Sequence, residues 1–212
     1  TVYDATALSL APTKKDGSFQ WRNQDLSYGT EGGLALAFNR YYDSFLAREV
    51  TDLGFGWKTI PYELDFPVAD SKKKFGSGAN QVEVTIPPKI LFTDWPNHQL
   101  LEFTPDRRLE DGRIVYAPQD GKIVREFFIR NTDGTYVYRR DGNEIQFSSE
   151  GVLQALKDRN GNQTSYLYDA EGKLTRIRDE VSRREIVITY DGNNRIAQAL
   201  GPDGRSVQYS YD

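Results

Sequence analysis

Apolar and polar residues alternate in short stretches along this chain, most cleanly near its end. Between Arg205 and Tyr211, Val207, Tyr209 and Tyr211 share one face, and Ser206, Gln208 and Ser210 share the other. Ile186, Ile188 and Tyr190 set out the same pattern one step earlier. Side chains that change face at every residue describe a half-buried strand, because successive Cβ atoms of an extended chain point to opposite sides. Such a strand runs into an Asp followed by Gly or Asn, as in Asp169-Ala170-Glu171-Gly172, and a second strand follows over Lys173 to Arg178. A further turn, such as Arg159-Asn160-Gly161-Asn162 or Pro202-Asp203-Gly204, closes the unit. Two strands and two turns take up about 21 residues at ordinary strand and hairpin-loop lengths.

The unit repeats. Tyr168-Asp169, Tyr190-Asp191 and Tyr211-Asp212 are spaced by 22 and 21 residues, and Phe147 stands 21 residues before Tyr168 at the head of a worn copy. Once the aromatics are aligned, other positions fall into register. Six residues on come Leu153, Leu174 and Ile196, and nine on come Leu156, Ile177 and Ala199. Four on come Gly151, Gly172 and Asn194, residue types that tolerate the left-handed backbone of a tight turn. Two before the tyrosines come Tyr166, Ile188 and Tyr209, and two before those Thr164, Ile186 and Val207. One such hairpin cannot bury its aromatic face alone, but stacking the next beside it extends a sheet, which is the logic of repeat proteins. The predicted units cover residues 147–167, 168–189 and 190–211, with Tyr168, Tyr190 and Tyr211 as packing rungs.

Upstream, strands and turns continue without a helical pattern. Leu34 to Phe38 follows Glu31-Gly32-Gly33 and runs into Asn39-Arg40-Tyr41-Tyr42-Asp43-Ser44; Leu53-Gly54-Phe55-Gly56-Trp57 comes next. Val82 to Ile86 alternates until Pro87-Pro88. Ile90–Thr93 and Leu100–Phe103 pair across an Asp94–His98 turn, and Phe127–Arg130 and Thr135–Tyr138 across Asn131-Thr132-Asp133-Gly134. The Lys, Ser and Gly-rich stretch from Asp70 to Asn80, with Lys72-Lys73-Lys74, reads as an exposed loop. The expected architecture is all-β: a β-rich domain over 1–115, then antiparallel hairpin repeats over 116–212 forming one curved continuous sheet.

Composition narrows the function. Thirteen Tyr, 11 Phe and 3 Trp supply burial in a chain that is only 38% hydrophobic, which suits sheets with one wet rim. With 27 basic and 31 acidic residues, the net charge of -4 provides no domain-wide positive field for phosphates, so nucleic acid is not an expected partner. The absence of cysteine excludes disulfides, thiolate metal sites and thiol nucleophiles. No apolar run approaches the roughly 20 residues of a membrane-spanning helix. The chain starts at Thr1 and contains no Met, which reads as a processed or excised piece of something longer.

Residues 168–177 (Tyr-Asp-Ala-Glu-Gly-Lys-Leu-Thr-Arg-Ile) and 201–212 (Gly-Pro-Asp-Gly-Arg-Ser-Val-Gln-Tyr-Ser-Tyr-Asp) resemble the YD repeats of bacterial RHS proteins. The segment Leu34 to Ser44, with Arg40, Tyr41 and Tyr42, followed by Gly54, Gly56 and Trp57, resembles the domain that precedes those repeats, and Thr6 to Leu10 sits where such domains begin. The resemblance covers most of the chain. It implies a β-ribbon spiralling into a hollow shell that encloses or displays a C-terminal effector, in secreted or cell-surface proteins of toxin delivery. The expected partners are further repeats or that effector on the same polypeptide. The family's autocleavage motif and toxin lie beyond its last repeats, so the resemblance carries over no catalytic residue and no cofactor.

The residues themselves offer little else. His98, the single histidine, sits in a Trp-Pro-Asn-His turn with no nucleophile placed beside it. Asp158, Asn160 and Asn162 alternate as calcium ligands do, but an EF-hand loop needs Gly and Glu where Gln163 and Asp169 stand, so they read as turn residues. Gly29, Gly32 and Gly33 form no phosphate loop. The expectation is a non-catalytic structural segment. The alternative is a surface or glycan-binding module that would use Trp21, Trp57 or Trp95.

Overall fold

A computed structural model of the chain describes residues 18–29, 34–118 and 125–211. Thr6 to Leu10, Glu31 to Gly33 and Asp212, all singled out in the sequence, lie outside the described residues. The rest is antiparallel β-structure. Thirteen strands form one sheet, not closed into a barrel, in which neighbours along most of the chain are neighbours in the sheet. The chain divides into two compact units, residues 62–161 and residues 1–61 with 162–212. This differs from the boundary expected at 115/116, which falls inside a strand, Ile114–Pro118, paired on both sides.

The 1–61 and 162–212 unit opens with β1 (Gln20–Tyr28), β2 (Leu36–Asp43), β3 (Val50–Thr51), β4 (Gly54–Phe55) and β5 (Trp57–Lys58). β2 lies between β1 and β5, and β3 pairs with β4 in a two-residue ribbon. The pairing of β1 with β2 is interrupted between Gln24 and Leu26, which leaves Asp25 as a bulged residue. A bulge re-aims the side chain it carries. Leu36, Phe38 and Tyr41 of β2 are buried.

The 62–161 unit contains β6 (Tyr62–Asp65), β7 (Ser71–Phe75), β8 (Val82–Ile86), β9 (Ile90–Asp94), β10 (Gln99–Arg108), β11 (Ile114–Pro118), β12 (Glu126–Arg130), β13 (Tyr136–Arg140), β14 (Asn143–Phe147) and β15 (Leu153–Lys157). The two hairpins expected here, β9–β10 and β12–β13, form with their turns as read. Phe92 is the hub of an aromatic core, with ring centroids 4.5 Å from Tyr138, 5.4 Å from Phe128 and 6.2 Å from Phe147. Phe103 stands edge-on to Phe128 at 4.9 Å. Such offset and edge-on pairs add about 0.5–1.5 kcal/mol each beyond area burial. This core draws strands on both sides of residue 115 into one unit.

One expectation is overturned here. Ser71 to Phe75 is a strand, β7, paired residue for residue with β8 from Ser71↔Ile86 to Phe75↔Val82, where a loop was read. Lysine is a poor strand former, so its local signal pointed away from a strand. Pairing with the alternating Val82–Ile86 segment and burial of Phe75 at the far end outweigh that preference.

The chain ends on β16 (Gln163–Tyr168), β17 (Leu174–Asp179), β18 (Glu185–Tyr190), β19 (Ile196–Leu200) and β20 (Ser206–Gln208), each antiparallel to the next as far as their pairings are described. β20 is shorter than the alternation from Arg205 to Tyr211 suggested, although Tyr209 still donates its N–H to the Ala197 carbonyl.

Candidate functional site: a tyrosine ladder and an arginine clamp

The Tyr-Asp pair is a strand end followed by a turn start. Asp169 donates its N–H to the Lys173 carbonyl, and Gly172 donates back to the Asp169 carbonyl. Asp191 with Arg195 and Asn194 repeats this, as does Ser148 with Val152 and Gly151 in the worn copy. The fourth residue after the aromatic carries the left-handed backbone each time: φ is +86° at Gly151, +81° at Gly172 and +61° at Asn194. The Asp169 carboxylate accepts from the N–H groups of Glu171 and Lys173, and that of Asp191 from Asn193 and Arg195. This satisfies donors that a tight turn would otherwise leave open.

Beside each turn the strands slip by one residue. Phe147 pairs with Leu153, Tyr168 with Leu174 and Tyr190 with Ile196, leaving Gln154, Thr175 and Ala197 as the extra residues. The apolar position six residues on is thus the direct partner of the aromatic, and Leu153, Leu174 and Ile196 are all buried.

Successive units are then tied by a rung. The Tyr190 hydroxyl donates to the Leu174 carbonyl at 2.9 Å, and the Tyr211 hydroxyl to the Ile196 carbonyl at 2.7 Å. The residue that closes each turn places its cation on the next tyrosine: Lys173 Nζ is 5.7 Å from the Tyr190 ring centroid, and Arg195 Cζ is 4.1 Å from that of Tyr211. Both contacts lie within cation–π range.

The segment that resembles the pre-repeat domain meets this ladder. The Asp52 carbonyl, in the β3–β4 turn, accepts from the Ile196 N–H at 2.7 Å and from the Tyr211 hydroxyl at 3.4 Å. Gly54, at φ +89°, lies beside the Tyr211 ring. Burial pushes the hydroxyls of Tyr168, Tyr190 and Tyr211 up, that of Tyr211 to about 12, and the Asp52 carboxylate adds to the shift in all three. All three are therefore held protonated, and those of Tyr190 and Tyr211 act as hydrogen-bond donors.

Arg40 organises a second junction. Its guanidinium grips Asp25 through Nε at 2.5 Å and Nη2 at 2.9 Å. Its Cζ lies 4.9 Å from the Trp57 ring centroid and 5.3 Å from that of Tyr209. The Tyr209 hydroxyl donates to Asp25 Oδ2 at 2.5 Å, and Asn23 donates to Asp25 Oδ1. The Asp25 side chain is fully buried, so this ring of donors is what makes its charge tolerable there. Arg40 and Trp57 were singled out in the sequence, whereas Asp25 and Tyr209 were not read as their partners. Tyr42 packs on Trp57 at 5.2 Å, and Gly56, at φ +75°, leaves no room for a Cβ between Tyr42 and the backbone of Asp43 and Ala47. Tyr41 is buried in the core.

A third junction joins β1 to the far turn of the last hairpin. The Tyr28 hydroxyl donates to Asp203 Oδ1 at 2.7 Å, and Arg205 lies over the Tyr28 ring at 4.7 Å. Hydrogen bonding from Tyr28 holds the Asp203 carboxyl at about 2.

The remaining candidates occupy turns. The Asp158 carboxylate accepts from the Asn160 N–H. His98 is half-buried with a left-handed backbone, φ +50°, where an exposed loop residue was expected. Within the ladder and its junctions, hydroxyls donate to carbonyls and carboxylates of other strands and turns. No family model matches the chain, and no curated protein matches it either.

Proposed function

We propose that this chain is a non-catalytic structural segment of an RHS/YD-repeat protein, part of a β-shell that encloses or displays an effector carried further along the same polypeptide. The observation that carries this reading is the rung, in which Tyr190 and Tyr211 are each bound to the unit before by a hydroxyl–carbonyl hydrogen bond and a cation over the ring at matching positions. A device that repeats with the sequence period suits propagation of a sheet, because each unit both receives a tyrosine and supplies one. A secreted or cell-surface setting follows from the same reading.

The competing reading, a glycan-binding module, wants indoles open to a sugar face. Trp95 is buried, Trp57 is half-buried beneath Arg40, and Trp21 is half-buried. The deciding experiment is to read the coding sequence past Asp212 and image the extended polypeptide. The expected result is further Tyr-Asp units at the same spacing, then a divergent domain protected from protease. A lack of such units, with specific capture on a glycan array, would replace the shell by the binding module.

A further inference from the structure

Independently of that reading, the β7–β8 ribbon carries an unusual edge. β7 is hydrogen-bonded to β8 alone, so its other side is an open strand edge among the described residues. Three consecutive lysines line it, and all are exposed. Only Lys72 has a carboxylate partner, Glu83 at 2.8 Å; Lys73 and Lys74 have none among the described residues. The register places Lys72 and Lys74 on the face shared with Thr85 and Glu83, and Lys73 on the opposite face beside Val84. The three charges therefore alternate above and below the ribbon.

That alternation selects the partner. A flat anionic surface can meet Lys72 with Lys74, or Lys73, but not all three. A strand added at the β7 edge has the same alternation and runs alongside all of them at the spacing of neighbouring strands. We propose that the open edge of β7 is a docking site for an extended polypeptide segment with three consecutive acidic residues, which adds as a third strand. Edge lysines deter neutral and like-charged strands, and that same repulsion confines the edge to acidic ones. A second copy of this chain does not fit, since it holds no run of three acidic residues and its own β7 would set lysine against lysine.

The test uses the whole chain and a labelled peptide with three consecutive glutamates between Thr and Val residues, followed by fluorescence anisotropy. Three controls accompany it: the same composition with the glutamates separated, the same peptide N-methylated at alternate amides, and phosphatidylserine vesicles. The expected result is binding at least about tenfold tighter than either control peptide, a loss of about tenfold or more in the Lys73→Glu, Lys74→Glu double variant, and slowed amide exchange in β7. Equal binding of the N-methylated peptide would reduce the edge to a diffuse charge and overturn strand addition. So would binding of the vesicles alone, or peptide binding that the double variant leaves intact.

Discussion

The Tyr28 hydroxyl occupies the space that a Cβ on Gly201 would need. A methyl group built at position 201 would also come within 2.6 Å of Tyr28 Cζ and 2.9 Å of Cε2. Gly201 is needed there to let β1 lie against the last turn. Gly201→Ala is expected to displace Tyr28, break its hydrogen bond to Asp203 and cost about 2 kcal/mol or more, a typical penalty for overpacking. Urea denaturation of the variant checks it, and an unchanged midpoint would contradict the packing described.

The same junction predicts a response to acid. Asp203 is held at about 2 against an ordinary 3.8, chiefly by the Tyr28 hydroxyl. A carboxylate depressed in the folded state stabilises above its unfolded pKa, and that stabilisation is lost as pH falls through the folded value. This contribution is therefore complete above about pH 4 and fades toward about pH 2. In Tyr28→Phe the Asp203 carboxyl rises toward 3.8, so the fall in melting temperature across that window is expected to be shallower than in the parent. Melting curves of both proteins through the window decide it.

The strands were legible because alternation and turn residues are local. Period-two runs, Asp-x-x-Gly turns and the spacing of aromatics identified β16 to β19 and the recurring apolar positions Leu174 and Ile196, which the strand pairing then sets opposite Tyr168 and Tyr190. The junctions were not legible. Asp25 and Tyr209 are 184 residues apart, and no local pattern connects them. One trace is present: burial along β2 changes phase between Phe38 and Tyr41, opposite the bulge that turns Asp25 inward. The lysine strand was missed for the opposite reason, since a paired neighbour decided what local propensity opposed.

Two turn glycines separate backbone strain from collision. Gly151 and Gly172 share left-handed backbones, φ +86° and +81°. A Cβ at Gly172 meets nothing within 4 Å, whereas at Gly151 it would collide with the Leu64 carbonyl oxygen of β6. Gly172→Ala is expected to cost about 1 kcal/mol from the left-handed backbone alone. Gly151→Ala carries that cost plus about 1–3 kcal/mol of overpacking. Similar denaturation midpoints for the two variants would show that the turn does not press on β6 as described.

The rungs are graded by distance. Arg195 lies 4.1 Å from the Tyr211 centroid and Lys173 5.7 Å from that of Tyr190, and both are partly shielded from solvent. Arg195→Ala is expected to lose about 1 kcal/mol and Lys173→Ala about half of that. Tyr211→Phe keeps the ring but removes the hydrogen bond to Ile196, for about another 1 kcal/mol. Thermal denaturation of the three single variants orders them, and a larger loss at Lys173 would contradict the ring geometry.

Arg40 is expected to be the most costly of these positions, because removing it strands a fully buried carboxylate. Arg40→Ala leaves Asp25 with only Asn23 and Tyr209 as side-chain donors among the described residues, and breaking one side of a buried pair costs about 3–5 kcal/mol. Arg40→Lys keeps the charge but gives up the two-point grip and the planar stacking on Trp57 and Tyr209, so it is expected to restore only part of the loss. Asp25→Ala on its own exposes the guanidinium problem from the other side. The double variant removes both charges and is expected to be less damaged than the two single losses added together, with a coupling of about 1–3 kcal/mol from the cycle. Additive losses would mean that Arg40 acts through its stacking on Trp57 and Tyr209, with Asp25 held by its other donors.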